Sequence, residues 1–173
     1  HNYFMNQLTV ENLENVKSKW AWYRTKLREN HKTLEFDDYK TDYLTDELSE
    51  AALRFINKQA ENDQSFFLFL SYNAPHTPMH ATEKYLSRFP DIQDRKRKTY
   101  AAMVSAVDDG IGLVLETLKK NALIENTIIV FLSDNGGAHN NASQNTPLRG
   151  TKGSVYELSL IHISETTRHL LIS

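Results

Sequence analysis

Thr127-Ile128-Ile129-Val130-Phe131-Leu132-Ser133-Asp134-Asn135-Gly136-Gly137 decides the fold class. The run from Thr127 to Leu132 is apolar, uncharged and rich in β-branched side chains, and it stops abruptly at polar and glycine residues. That pattern predicts a strand buried on both faces, as in a parallel sheet covered by helices. Upstream, Phe66-Phe67-Leu68-Phe69-Leu70 repeats it and leads into a loop from Ser71 to Pro78.

Two helices complete the alternation. One begins at Thr45 or Asp46 as N-cap, has acidic residues in its first turn and places Leu48, Ala51, Ala52, Phe55 and Ile56 on one face; Asn62-Asp63 ends it. The other runs from about Asp94 to Asn121 with Tyr100, Met103, Val104, Val107, Ile111, Val114, Leu115 and Leu118 as its apolar side. Gly110 and Gly112 weaken that helix and so mark close packing or a bend. Residues 1–44 are polar and aromatic-rich; Val16, Trp20, Tyr23 and Leu27 fit either a helical or a hairpin face. The order helix, strand, loop, helix, strand, glycine loop predicts an α/β fold with a mostly parallel sheet flanked by helices. Ligands of such sheets sit beyond the carboxyl ends of the strands. The loops carrying His76 and Asp134 both leave such ends.

Composition limits the function classes. The 173 residues are 40% hydrophobic and 24% charged, as in an ordinary globular chain. Lys plus Arg number 20 against 22 Asp plus Glu, without the basic excess that nucleic-acid binding needs. No apolar run approaches the length of a membrane span, and no signal-peptide core opens the chain. With no Cys, disulfides, thiolate metal sites and a cysteine nucleophile are absent from this stretch. The chain opens on His1 rather than Met, so a longer polypeptide is expected around it.

Three loops carry chemistry. Asp134 and Asn135 are adjacent hard oxygen donors suited to Ca²⁺ or Mg²⁺, and the two glycines after them let a ligand approach the backbone. The same residues also spell an ordinary Asp-Asn-Gly strand-closing turn. His76 stands between Pro75 and, one residue on, Pro78, in a stiffened loop suited to anion binding or proton transfer, or simply to a structural hydrogen bond. Leu148-Arg149-Gly150-Thr151-Lys152-Gly153-Ser154 sets two cations among small residues, either as an oxyanion cradle or as a solvated turn. It lacks the Gly-x-x-x-x-Gly-Lys spacing of a P-loop. The basic cluster 94–98 reads as a solvated helix start and Asp108-Asp109 as solvated helix carboxylates. Asn141-Ala142-Ser143 matches a glycosylation sequon of a kind that arises often by chance.

Taken together, residues 67–78, 100–112, 129–137 and 147–157 resemble, in order, the type I sulfatases, the formylglycine-dependent enzymes of the alkaline-phosphatase-like superfamily. The resemblance covers about residues 42–157, and His1-Asn2-Tyr3-Phe4 is similar to the segment after the first catalytic stretch of bacterial members. It implies sulfate-ester hydrolysis by a calcium-assisted mechanism. A formylglycine made from Cys/Ser-x-Pro-x-Arg attacks sulfur as its hydrate, the alcohol leaves, and enzyme-bound sulfate is then eliminated. It also implies Asp134 and Asn135 as calcium ligands, His76 as a sulfate contact and proton donor, and Lys152 as a sulfate-oxygen ligand. A sulfated small molecule or polysaccharide is the implied partner, and a periplasmic or secreted location is implied for the parent protein. The formylglycine motif, the first pair of Asp ligands and an upstream Lys/His pair are absent from this chain, so the isolated chain is expected to be inactive.

Thr151 stands where glycine is common. A sharper departure follows Glu157, where Leu158 onward replaces the family's Gly-Gly and Arg-x-Pro. Residues 1–157 are therefore expected to form part of the catalytic domain. Residues 158–173 are expected to be a non-family tail produced by a frameshift or by translated adapter sequence, so His162 and His169 are not candidate ligands. A phosphoester or phosphonate hydrolase of the same superfamily, or a non-catalytic anion- or carbohydrate-binding relative, are the alternatives that the upstream nucleophile motif would separate.

Overall fold

The computed structural model describes residues 27–62, 64–154 and 156. Val16, Trp20 and Tyr23, and the tail 158–173, lie outside them. A two-residue hairpin of β1 (Arg28–Glu29) and β2 (Lys32–Thr33) opens the described chain, with Arg28 opposite Thr33. A 3₁₀ turn at Phe36–Asp38 leads to helix α1, Leu44–Ala60. The short α2, Glu83–Leu86, and the long α3, Arg95–Lys120, follow, and a second 3₁₀ turn spans Ile124–Asn126.

Helix α1 begins just ahead of its predicted caps. Tyr43 holds the N-cap position in extended backbone without a side-chain cap, so Thr45 and Asp46 fall inside the first turn. Glu47 anchors the entry instead. Its Oε2 accepts from the backbone N–H of Lys40 at 2.7 Å and of Thr41 at 3.0 Å, and its Oε1 accepts from Arg54 at 3.1 Å. A carboxylate this buried is tolerated because three donors meet it. Helix α3 keeps its predicted bounds: Asp94 accepts from the Arg97 N–H at 2.6 Å as N-cap, and Asn121 closes the far end.

The helices pack through small residues. Ala102, Met103, Ala106 and Gly110 of α3 are buried, whereas Val104, predicted on the apolar face, is exposed. On α1, Ala52 and Ile56 are buried as predicted, Leu48 and Phe55 are half-buried and Ala51 is exposed. Thr45 and Ser49 are buried in place of further aliphatics. Ser49 Oγ donates to the Thr45 carbonyl at 2.9 Å and lies 2.9 Å from the Tyr72 hydroxyl. A Cβ on Gly110 would run into both Ser49 and Tyr72, which explains that glycine by close packing. Nothing surrounds the corresponding position of Gly112. Tyr43 and Tyr85 complete the core, their rings 6.0 Å apart, with Tyr43 donating to the His80 carbonyl at 2.8 Å and Tyr85 to Asp46 at 2.6 Å. Burial pushes the Tyr43 hydroxyl up to about 12, and burial, with the Asp46 bond adding to it, raises Tyr85 further.

The two apolar runs are not buried on both faces. Phe67 and Phe69 are 86% and 79% exposed, alternating with the half-buried Phe66, Leu68 and Leu70. That period of two is the signature of extended chain with one side covered. Phe66 stands edge-on to Phe55 of α1, with centroids 5.5 Å apart. From Ile128 to Leu132 every side chain is exposed. Double burial needs flanking strands and a second helical layer. Among the described residues the only paired strands are β1 and β2, and the helices supply one layer.

Candidate active site

His76, Asp134 and Asn135 sit on loops that follow the two apolar runs, and Lys152 lies on a later loop that follows neither. His76 follows a turn closed by its own N–H donating to the Asn73 carbonyl at 2.9 Å. Its Nδ1 lies 2.6 Å from the Thr77 carbonyl. A carbonyl can only accept, so Nδ1 carries the hydrogen in this contact. The ring is exposed.

The second and third loops form one hydrogen-bonded unit. Asp134 is exposed, Asn135 half-buried, and Ser133 Oγ donates to the Asn135 carbonyl at 2.7 Å. Two residues on, the Gly137 carbonyl accepts the backbone N–H of Lys152 at 3.1 Å. This bond brings the oxygen-donor pair and the lysine onto one frame. Lys152 itself is flanked by Gly150 and Gly153, both with positive φ (88° and 83°), so the chain bends sharply on either side of it. Ser154 accepts from the Thr151 N–H at 3.1 Å, and the Arg149 guanidinium lies 5.3 Å from the Tyr156 ring. Among the described residues neither the Asp134 carboxylate nor the Lys152 ammonium is committed to a side-chain partner, which leaves both for a ligand.

Two residues contribute that sequence reading passed over. Asn145 bonds to both Gly137 and Gly150. Arg97, expected in a solvated cluster, donates to the Ala142 carbonyl at 2.9 Å and so ties the loop after Gly137 to α3. Asn141, the sequon residue, is buried and accepts from the Ser143 N–H, so its amide is part of the turn. Asp109 is not a bare surface carboxylate: Arg88 grips it through two bonds of 2.7 Å, and that pairing lowers its pKa. The recess between α1 and α3, lined by Asp46, Glu50, Asp109 and Glu116, is acidic and contains none of the candidate residues. Among the described residues no three His, Asp or Glu side chains gather as a metal cluster.

Comparison with known proteins matches this arrangement to one family. The sulfatase family profile matches residues 1–163. Mouse (Mus musculus) arylsulfatase J is 32% identical over 120 residues, covering 69% of this chain and 20% of its own. Escherichia coli sulfatase YdeN is 41% identical over 96 residues, covering 54% of this chain and 17% of its own. The crystal structure of Ps i-CgsB in complex with k-i-k-neocarrahexaose superposes with a TM-score of 0.81 at 42% identity, over 91% of this chain and 35% of that one. The chain thus spans about a fifth of the length of these curated relatives. Its described residues are the mostly helical part of an alkaline-phosphatase-like α/β fold, and the chain belongs to the sulfatase family.

Proposed function

We propose that the chain supplies part of the anion- and metal-binding site of a longer enzyme that hydrolyses sulfate esters of carbohydrates or aryl alcohols. The observation that carries this is the Gly137–Lys152 backbone bond, which joins the Asp134-Asn135 pair to a lysine with no side-chain partner among the described residues. An oxyanion bound between a cation-holding pair and an ammonium is stabilised as charge develops on its oxygens. Ps i-CgsB in its complex with k-i-k-neocarrahexaose supports a carbohydrate substrate.

The donor chemistry fits calcium. Asp134 offers a carboxylate and Asn135 an amide oxygen, both hard donors, and the remaining oxygens of a six- to eight-fold shell would come from elsewhere. When bound there, calcium would supply positive charge beside the ester oxygens. A formylglycine, which would supply the nucleophile, requires a Cys/Ser-x-Pro-x-Arg motif that the 173 residues do not contain. Lys152 would hold a sulfate oxygen as a point charge. His76, held through Nδ1–H, would in its doubly protonated form present Nε2–H to the leaving oxygen and hand it that proton. A periplasmic or secreted location belongs to the same proposal.

In the longer enzyme, Lys152→Ala and His76→Ala are each expected to lower turnover of a sulfate ester roughly tenfold or more, with the circular dichroism spectrum unchanged. Turnover equal to wild type in either variant would remove that residue from the mechanism.

A further inference from the structure

We infer that Asn145 is a positioning residue of this site: its side-chain amide joins the Asp134–Gly137 loop to the Arg149–Gly153 loop and so sets where Lys152 stands relative to the Asp134-Asn135 pair. The inference rests on the function proposed above for those three residues.

The amide uses both of its ends. Its Oδ1 accepts from the Gly137 N–H at 3.0 Å, and its Nδ2 donates to the carbonyls of Gly137 at 3.1 Å and Gly150 at 3.2 Å. Only this orientation satisfies all three backbone groups, because a flipped amide would set oxygen against two carbonyls. Asn145 therefore pairs with Gly137 as a neighbouring strand would, in a stretch where no strand does. The Gly137 carbonyl also takes the Lys152 N–H, so Asn145 and Lys152 share one acceptor and one geometry. Gly137 has to be glycine for this. A Cβ there would overlap Ser143 and come within 2.9 Å of Asn145 Oδ1. Outside this knot, Ser143 Oγ donates to the Ala138 carbonyl at 2.8 Å, and Arg97 holds Ala142 to α3. The knot is thus fixed to the helical layer at one end and carries Lys152 at the other.

Replacing the amide by a carboxylate of the same shape separates positioning from space-filling. Asn145→Asp keeps the acceptor for the Gly137 N–H but turns an anionic oxygen toward two carbonyls. Amide exchange of the full chain, expressed as protection factors to remove the intrinsic pH dependence, is the readout, with α3 amides as the control for folding. At neutral pH, Asn145→Asp is expected to lower protection of the Gly137 and Lys152 amides roughly tenfold or more. Protection should return as pH falls through the carboxyl range near ~4, where the protonated group donates again. Asn145→Ala should lose protection at both amides with no recovery at low pH. Wild-type protection at Lys152 in either variant would overturn the inference. If Asn145→Asp leaves α3 unprotected, Asn145→Ala at neutral pH decides alone.

Sodium sulfate added to the longer enzyme, which holds the whole site, then separates the inference from the function it rests on. A shift of the Lys152 amide resonance in wild type, weakened in Asn145→Asp, supports both. Absence of any sulfate effect in wild type, with the expected protection pattern intact, defeats the sulfate-site reading and leaves the loop linkage standing.

Discussion

Ile56, Met103 and Ala106 of the helical layer are at most 1% exposed, whereas Phe67, Phe69 and Ile128, just as apolar, are 86%, 79% and 82% exposed. The difference lies in where each element finds its partners. Helices α1 and α3 satisfy their backbones internally and bury their faces against each other, so residues within one stretch suffice. A central strand needs backbone partners on two sides and side-chain cover on two faces, all contributed by other segments. At the site, the Asp134 and Lys152 loops likewise depend on each other, knotted through Gly137, Asn145 and Gly150.

Substitutions can sharpen or break that contrast. The largest effect is expected in the helical layer, where Met103→Ala should destabilise the chain by about 2–5 kcal/mol in denaturant unfolding, because the side chain is fully enclosed. A cost under 1 kcal/mol would mean the layer is not packed as described. Gly110→Ala should cost less, about 1–3 kcal/mol, by forcing a methyl group into Ser49 and Tyr72. Gly112→Ala, two residues along and in open space, should stabilise by about 0.5–1 kcal/mol. Equal effects at the two glycines would refute the close approach of α1 and α3 at Gly110. The smallest change is expected at Phe67→Asp, within about 0.5 kcal/mol, since the ring is already in water. A large loss there would place the ring in a core after all.

Much of the helical architecture was legible in the sequence. Asp94 and Asn121 bracket α3 because a capping carboxylate and a terminal amide act locally. Its buried face was read less well, since Val104 carries more apolar surface than Ala102 or Gly110, yet close helix approach selects the small residues. The apolar runs were recognised as segments, but their burial depends on partners no local pattern encodes. At the site, Asp134, Asn135, His76 and Lys152 stood out through residue chemistry and family resemblance. Asn145 did not, because an asparagine before Thr-Pro looks like any turn residue until its three backbone partners are in place. The tail is a separate matter. The family match runs to residue 163, past the break in pattern after Glu157, and resequencing the locus would decide whether that reading frame is native.

Product release by the longer enzyme tests the central claim most directly. Inorganic sulfate freed from 4-nitrophenyl sulfate and from a panel of sulfated polysaccharides would be measured beside phosphate freed from 4-nitrophenyl phosphate, with wild type and Lys152→Ala in parallel. The account expects sulfate from at least one ester, lowered roughly tenfold or more without the lysine, and less phosphate than sulfate. Phosphate release exceeding sulfate release, or no sulfate from any ester, would contradict it.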